Sequence, residues 1–331
     1  MPSEDLTPDL YAHDPDELGS AAEADSPLLH ALHRVWNDKA LGLIYEDYAH
    51  NTPFHLESAE HYGRDAVMTF ALQTLAAFPD LRLLGTETIW SGNEQDGTVS
   101  QRVTWSGRHL GHGIYGPPSG AAVQIRVLVQ RRLRAGRVVE EWLVRDEAAL
   151  LRQLGHDPGE WVSRQPQSAA PAASQTHGEL VRAQGQQAPP LVLDGDPSNP
   201  AELPGRLYGL VWNARMLSAV SDFYAPDAVI WGPGNRRLQG HADLQAFLLQ
   251  LLSAFPDAVL QPDEVTCQGN AVAARWTFQG THDGPSVYGL PSGQRVRVTG
   301  ISHFDLMGGK VVREFMLFNE VDLLRQLIRT G

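Results

Sequence analysis

The sequence predicts an α+β protein built from two tandem copies of one small domain, each with N-terminal helices packed on a strongly curved antiparallel sheet. Three observations predict this: an internal repeat at a nearly constant offset, a switch from helical to strand periodicity within each copy, and a segment without periodicity between the copies. The length of 331 residues and the hydrophobic content of 42% suit two cores rather than one.

The repeat is read directly. Trp36-Asn37, Tyr48 and Ala77-Phe78-Pro79-Asp80 recur in order as Trp212-Asn213, Tyr224 and Ala254-Phe255-Pro256-Asp257. Gly107, His109, Gly111, Tyr115, Gly116, Pro118, Ser119 and Gly120 recur as Gly280, His282, Gly284, Tyr288, Gly289, Pro291, Ser292 and Gly293, and Leu150-Leu151-Arg152-Gln153-Leu154 returns unchanged as Leu323-Leu324-Arg325-Gln326-Leu327. The offset shortens between the Phe-Pro-Asp element and the first histidine, which places extra residues of the first copy near Asn93–Gly97, where turn chemistry tolerates an insertion. The expected organisation is an acidic tail over 1–25, a first domain over 26–160, a Pro/Ala/Gln-rich linker over 161–204 and a second domain over 205–331. A flexible linker of about 40 residues spans on the order of 35 Å, enough for the copies to lie side by side.

Within each copy helices come first. Ser26-Pro27 supplies an N-cap and a first-turn proline, followed by Leu28, Leu29, Leu32, Val35 and Trp36 on one face. A second helix carries Val67, Phe70, Ala71 and Phe78 up to Pro79, and its counterpart carries Leu244, Phe247, Leu248, Leu251 and Phe255 up to Pro256. Strands follow over Thr98–Arg108, Ala122–Arg132 and Arg137–Val144, and over Ala271–Gln279, Gln294–Leu306 and Lys310–Phe318. The turns Arg134-Ala135-Gly136 and Met307-Gly308-Gly309 make the last two strands of each copy antiparallel neighbours. A bent sheet lidded by helices encloses a hollow, so a pocket is expected in each copy.

The net charge of -13 argues against a nucleic-acid or anionic-membrane surface. One cysteine, Cys267, excludes an internal disulfide, and the Met1–Asp25 stretch lacks a basic and an apolar region, so a soluble cytoplasmic protein is expected. No Walker loop, dinucleotide fingerprint or nucleophile elbow is present, and the His109-Leu110-Gly111-His112 spacing does not converge metal ligands in a strand or loop. No metal and no cofactor are expected.

Three motifs, found in the same order in both copies, carry a resemblance. Gly107-Arg108-His109-Leu110-Gly111, Gly116-Pro117-Pro118-Ser119-Gly120 and Gly136-Arg137-Val138-Val139-Glu140-Glu141-Trp142 match Gly280-Thr281-His282-Asp283-Gly284, Gly289-Leu290-Pro291-Ser292-Gly293 and Gly309-Lys310-Val311-Val312-Arg313-Glu314-Phe315. The chain resembles the SnoaL-like polyketide cyclase and ester cyclase family of the NTF2-like superfamily, over roughly 26–158 and 205–330. The resemblance implies a cone-shaped fold, a hydrophobic pocket, a tendency to pair through the sheet, and ring closure without metal or cofactor through a pocket aspartate. That aspartate follows the Trp of the last strand in the family. Leu143 and Met316 stand there in this chain, and neither exchanges a proton.

Four residues are the candidates for proton transfer. His109 and His282 each lie four residues after a strand aromatic, Trp105 and Phe278, and so share its face; a histidine there titrates near neutrality, or alternatively holds the neighbouring hairpin by hydrogen bonds. Glu141 and Glu314 precede Leu143 and Met316 by two positions on the same face; they are substitutes for the missing acid, or alternatively partners of Arg102 and Arg275 across strands. Asp146 and Asn319 suit the caps of the last helices. Expected pocket walls are Trp36, Trp105, Tyr115 and Leu143 in the first copy and Trp212, Phe278, Tyr288 and Met316 in the second.

Two functions follow as expectations. One is a divergent cofactor-independent isomerase or lyase acting on an apolar, carbonyl-containing small molecule. The other is a non-catalytic binding or carrier protein whose tandem copies form an intrachain pseudo-dimer, the whole chain being a monomer or a homodimer.

Overall fold

The computed structural model describes residues 27–56, 59–165 and 196–328. The acidic tail and most of the linker lie outside the described residues. In the first copy the order is α1 (Pro27–Trp36), α2 (Ile44–Asp47), β1 (Pro53–Leu56), β2 (Ala59–Tyr62), α3 (Arg64–Ala77), β3 (Arg82–Gly92), β4 (Asp96–Arg108), β5 (Ala122–Arg134), β6 (Arg137–Arg145), α4 (Glu147–Gln153) and α5 (Pro158–Arg164). The second copy repeats it with α6 (Leu203–Leu207), continued by a π-helical turn to Asn213, then α7 (Val220–Phe223), β7 (Tyr224–Gly232), β8 (Arg236–Gln239), α8 (Gly240–Ala254), β9 (Val259–Gln268), β10 (Ala271–Thr281), β11 (Arg295–Met307), β12 (Lys310–Phe318) and α9 (Glu320–Ile328).

The two sheets have the same six-strand topology, β2-β1-β6-β5-β4-β3 and β8-β7-β12-β11-β10-β9. All pairings are antiparallel except one per sheet: β1 runs parallel to β6, and β7 to β12. Such a parallel pair needs a long crossover, and here α3 with β3–β5, or α8 with β9–β11, supplies it. Bulges shift register in β3, in the β5–β6 pair and at Arg275/Trp276 and Asp305/Leu306, which adds twist and bends each sheet around its helices. The tight turns are chemically dictated: Ala135 and Gly136 (φ 51 and 70) and Gly308 and Gly309 (φ 59 and 79) hold the two consecutive positive φ values of a type I′ hairpin.

The copies pack against each other through their sheets, with Leu128, Val144, Ile301 and Leu317 forming a small apolar cluster at the centre. Around it the contacts are reciprocal. The Arg102 guanidinium lies 3.4 Å from the centre of the Phe315 ring, and Arg275, its repeat equivalent, lies 4.0 Å from the centre of Trp142, the equivalent of Phe315. Buried His303 is held between Ser100 (2.8 Å) and Glu87 (3.1 Å) of the first copy, and Arg275 donates to Gln130 at 2.9 Å.

The last helix belongs to both copies. Leu323 and Leu327 of α9 fill the core of the second copy, while Val321, Leu324 and Ile328 pack into the core of the first. The caps are Asp146, which accepts from the Ala149 amide at 3.1 Å, and Asn319, which accepts from those of Val321 and Asp322. Asp146 reaches further: its carboxylate also accepts from the amides of Gly234 (2.8 Å) and Asn235 (2.9 Å) in the second copy. No helix among the described residues is long and apolar enough to cross a membrane.

Candidate functional site

In the first copy a cavity of about 470 Å³ opens between α3, the concave face of the sheet and the loop that joins β4 to β5. Phe70, Phe78, Trp105 and Ile125 make its apolar wall, and Tyr115, Arg145 and Thr74 bring polar atoms to it. Tyr115 donates to the buried carboxylate of Glu147 at 2.7 Å, and Arg145 approaches the other Glu147 oxygen at 2.6 Å. The Arg145 guanidinium also sits 5.5 Å from the centre of the Phe70 ring. A positively charged group and a phenol hydroxyl are thus fixed in an oily wall by one shared carboxylate.

Deeper in the same copy lies a hollow of about 30 Å³, which Trp36, Tyr48, Arg131, Glu141 and Leu143 help to line. Phe70 and Trp105 border both spaces, and Trp36 packs 5.1 Å from Trp105 and 6.2 Å from Phe70, so an aromatic partition separates the cavity from the hollow. Glu141 is held behind that partition by the Tyr48 hydroxyl and by Arg131 Nε at 2.6 Å, while Arg131 also donates to Gln101. Burial together with the Glu141 charge pushes the Tyr48 hydroxyl far above its ordinary range. Burial opposes the Arg131 charge, but Glu141 and Tyr48 together outweigh it and keep the guanidinium more firmly protonated than usual.

Glu141 therefore pairs with Arg131, where the sequence pointed to Arg102. The bulge between Arg132 and Leu133 brings Arg131 directly opposite Glu141, whereas Arg102 faces the other copy beside Glu87. Arg275 likewise turns to Asp263, 3.1 Å away, and not to Glu314.

His109 is 1% exposed and lies behind the cavity wall, against Phe78 and Tyr115. Its Nδ1 is 3.1 Å from the Ser119 hydroxyl, and its Nε2 has no hydrogen-bond partner. Burial, with smaller effects from His156 and His112, holds its pKa below the ordinary histidine value. His282 differs at one atom. Its Nδ1 is 3.2 Å from Ser292 and its Nε2 3.3 Å from Ser286, a residue that replaces Gly113 of the first copy. Burial lowers its pKa too.

The second copy does not hold a comparable cavity. Among the described residues, Trp212, Phe278 and Met316 border hollows of only about 10 Å³ each, against the expectation of a ligand-sized pocket in each copy. Four exchanges explain the filling. Trp276 replaces Val103, Phe318 replaces Arg145, Leu251 replaces Thr74, and Gly300 replaces Val127. The indole of Trp276 packs edge-on against Phe318 and donates to Ser302 at 3.1 Å. Gly300 makes that indole possible, because a Cβ there would lie 2.2 Å from it. Tyr288 keeps the counterpart of the Tyr115 bond, donating to Glu320 at 3.1 Å, and Arg236 pairs with that carboxylate at 2.7 Å.

Glu314 shows the same divergence. Tyr224 donates to it at 2.6 Å, as Tyr48 does to Glu141, but Phe304 occupies the place of Arg131. Burial without a counter-cation pushes the Glu314 carboxyl up to about 7.

Sequence reasoning missed Arg145, Glu147 and Arg325 at the cavity. Arg145 was within reach, since it stands two residues beyond Leu143 and so on the same face of β6. Arg325 was not, because it comes from α9 of the other copy.

The family model for SnoaL-like polyketide cyclases matches residues 27–154 and again 205–327, well over half of the chain. The chain belongs to the SnoaL-like polyketide cyclase family. Among solved structures, it is similar to a protein of Jannaschia sp. CCS1 described as a SnoaL-like polyketide cyclase, at 22% identity and a TM-score of 0.39, covering 44% of this chain and 100% of that one. It is also similar to AclR of Streptomyces galilaeus, described as a hydroxylase, at 27% identity and a TM-score of 0.36, covering 40% and 97%. A third is IdmH of Streptomyces antibioticus, described as a polyketide cyclase, at 22% identity and a TM-score of 0.36, covering 39% and 98%. A comparison with curated proteins gave no match. SnoaL-like domains bind small molecules, and this chain carries two of them in tandem.

Proposed function

We propose that the first copy binds an apolar, carbonyl-containing small molecule in its cavity, and that the second copy is its filled structural partner in an intrachain pseudo-dimer. One observation carries the reading: about 470 Å³ of space in the first copy against about 10 Å³ in the second. That volume is in the range of ordinary ligand pockets, roughly 300–1,000 Å³, and the lower one holds nothing larger than a water. Arg145 is the group suited to a ligand carbonyl, with Trp105 and Phe70 suited to its rings. Binding without turnover is favoured because Leu143 cannot carry a proton and Glu141 is committed to Arg131 and Tyr48 behind the aromatic partition.

The test transfers the second copy's filling to the first. Val103→Trp with Val127→Gly, Val129→Ser and Thr74→Leu transfers Trp276, Gly300, Ser302 and Leu251; Thr74 lines the cavity and Val103 the adjoining hollow, so in a variant that melts cooperatively the thermal stabilisation given by 2-acetonaphthone should disappear. Stabilisation of the variant equal to that of the wild type refutes the proposed site.

A second reading is cofactor-independent proton transfer, as in an isomerase or lyase, and the unpartnered Nε2 of His109 next to Tyr115 favours it. It requires that the bound ketone exchange its α-protons for deuterium and that His109→Ala remove the exchange. No exchange above the solvent rate eliminates this reading.

A further inference from the structure

The ionisable side chains that line the cavity, apart from Tyr115, are His61, His112, Arg145 and Arg325. Every one is cationic or becomes so on protonation. No Asp or Glu among the described residues lines it, although the chain carries 39 acidic against 26 basic residues. Glu147 lies behind the wall, where it orients Arg145 and Tyr115. A concave surface lined by one sign of charge and walled by apolar groups concentrates the field of that charge on whatever enters.

Arg325 is supplied by the second copy. Its helix, α9, is locked onto the first copy by Val321, Leu324 and Ile328, which fixes the arginine at the cavity. Repeat symmetry does not require this position. Arg152, the equivalent residue of the first copy, donates instead to the Gly234 carbonyl at 3.2 Å, and the second copy has Phe318 where the first has Arg145. Both arginines therefore line this cavity.

Resting on the reading that this cavity takes an apolar ligand, we propose that the ligand carries a carboxylate, held by Arg145 and Arg325, so that the second copy contributes a specificity-determining residue to the site of the first. The chemistry selects a carboxylate over a neutral ketone or ester. A guanidinium presents a planar fork that fits a carboxylate with two parallel hydrogen bonds, while the aromatic walls accept the ring system that bears it. A phosphate fits less well, since its greater charge would have to leave water for walls that are mostly carbon.

Binding of 2-naphthoate, methyl 2-naphthoate and 2-acetonaphthone to the full chain, measured by calorimetry, tests the proposal. The acid is expected to bind about tenfold more tightly than its ester, the difference that one charge-assisted hydrogen bond supplies. Arg325→Gln should collapse the acid-to-ester ratio to about twofold, and Arg325→Lys, which keeps the charge without the planar fork, should give an intermediate ratio, with melting curves showing both variants folded. Equal binding of acid and ester by the wild type, or an unchanged ratio in Arg325→Gln, overturns the carboxylate proposal and leaves the cavity's ligand-binding role standing. Failure of all three compounds to bind overturns both.

Discussion

Replacing Glu314 by Gln isolates the cost of a buried carboxyl that lacks a cation. Glu314 is wholly enclosed, accepts from Tyr224 and has Phe304 where the first copy has Arg131, and its pKa stands at about 7 against an ordinary 4.5. Its folded pKa is raised, so the folded chain holds that proton more tightly than the unfolded chain does. The contribution to stability is full below pH 4.5, shrinks as the pH rises from 4.5 to about 7, and is then constant. The loss across this window is on the order of 3 kcal/mol. Glutamine keeps the shape and the acceptor for Tyr224 but has no charge to bury. Urea unfolding at pH 4.5 and pH 8, followed by far-ultraviolet circular dichroism, gives the comparison. Glu314→Gln should be more stable than the wild type by about 3 kcal/mol at pH 8 and equal to it at pH 4.5. A variant less stable at pH 8, or a difference that does not change with pH, refutes the argument.

The first copy should respond in the opposite sense. Arg131→Met leaves Glu141 buried without its cation and is expected to destabilise the chain by about 3–5 kcal/mol in urea at pH 7, with Glu141→Gln in the same chain restoring much of that loss. Asp146→Ala removes a helix cap and two amide bonds to the second copy, and should lower stability by about 3 kcal/mol. Asn319→Ala, which caps only within its own copy, should cost about 1 kcal/mol, and equal losses at the two positions in urea titrations would show that the cross-copy bonds contribute nothing.

Much of the architecture was legible because it rests on local signals. The two-residue turns at Ala135-Gly136 and Gly308-Gly309 dictated the hairpins, and Pro79 and Pro256 ended the helices where α3 and α8 stop. The strands β1, β2, β7 and β8, four to nine residues long and ordered mainly by their neighbours, were not legible, and neither were β3 and β9, which contain Gly85 and Pro262. Helix α5 extends to Arg164 and α6 starts at Leu203, where Asp157 and two prolines supply start signals within a polar stretch. At the site, the histidines and glutamates could be named but their partners could not. A single bulge decides whether Arg131 or a neighbour meets Glu141, and no composition or spacing reports it. The filling of the second copy was written in the sequence as Trp276, Gly300 and Phe318, yet it becomes readable only once each is known to point inward.

The covalent joining of the copies has a consequence for how they can differ. In an assembly of identical subunits, any substitution appears on both sides of the twofold axis, so a bulky indole that plugs one hollow plugs the other. Fusion lifts that restriction: Trp276 could enter one half while Val103 stayed in the other, and a helix ending the chain could lend Arg325 across the seam with no return loan from Arg152. Asymmetry of this kind is accessible to a tandem chain and closed to a homodimer.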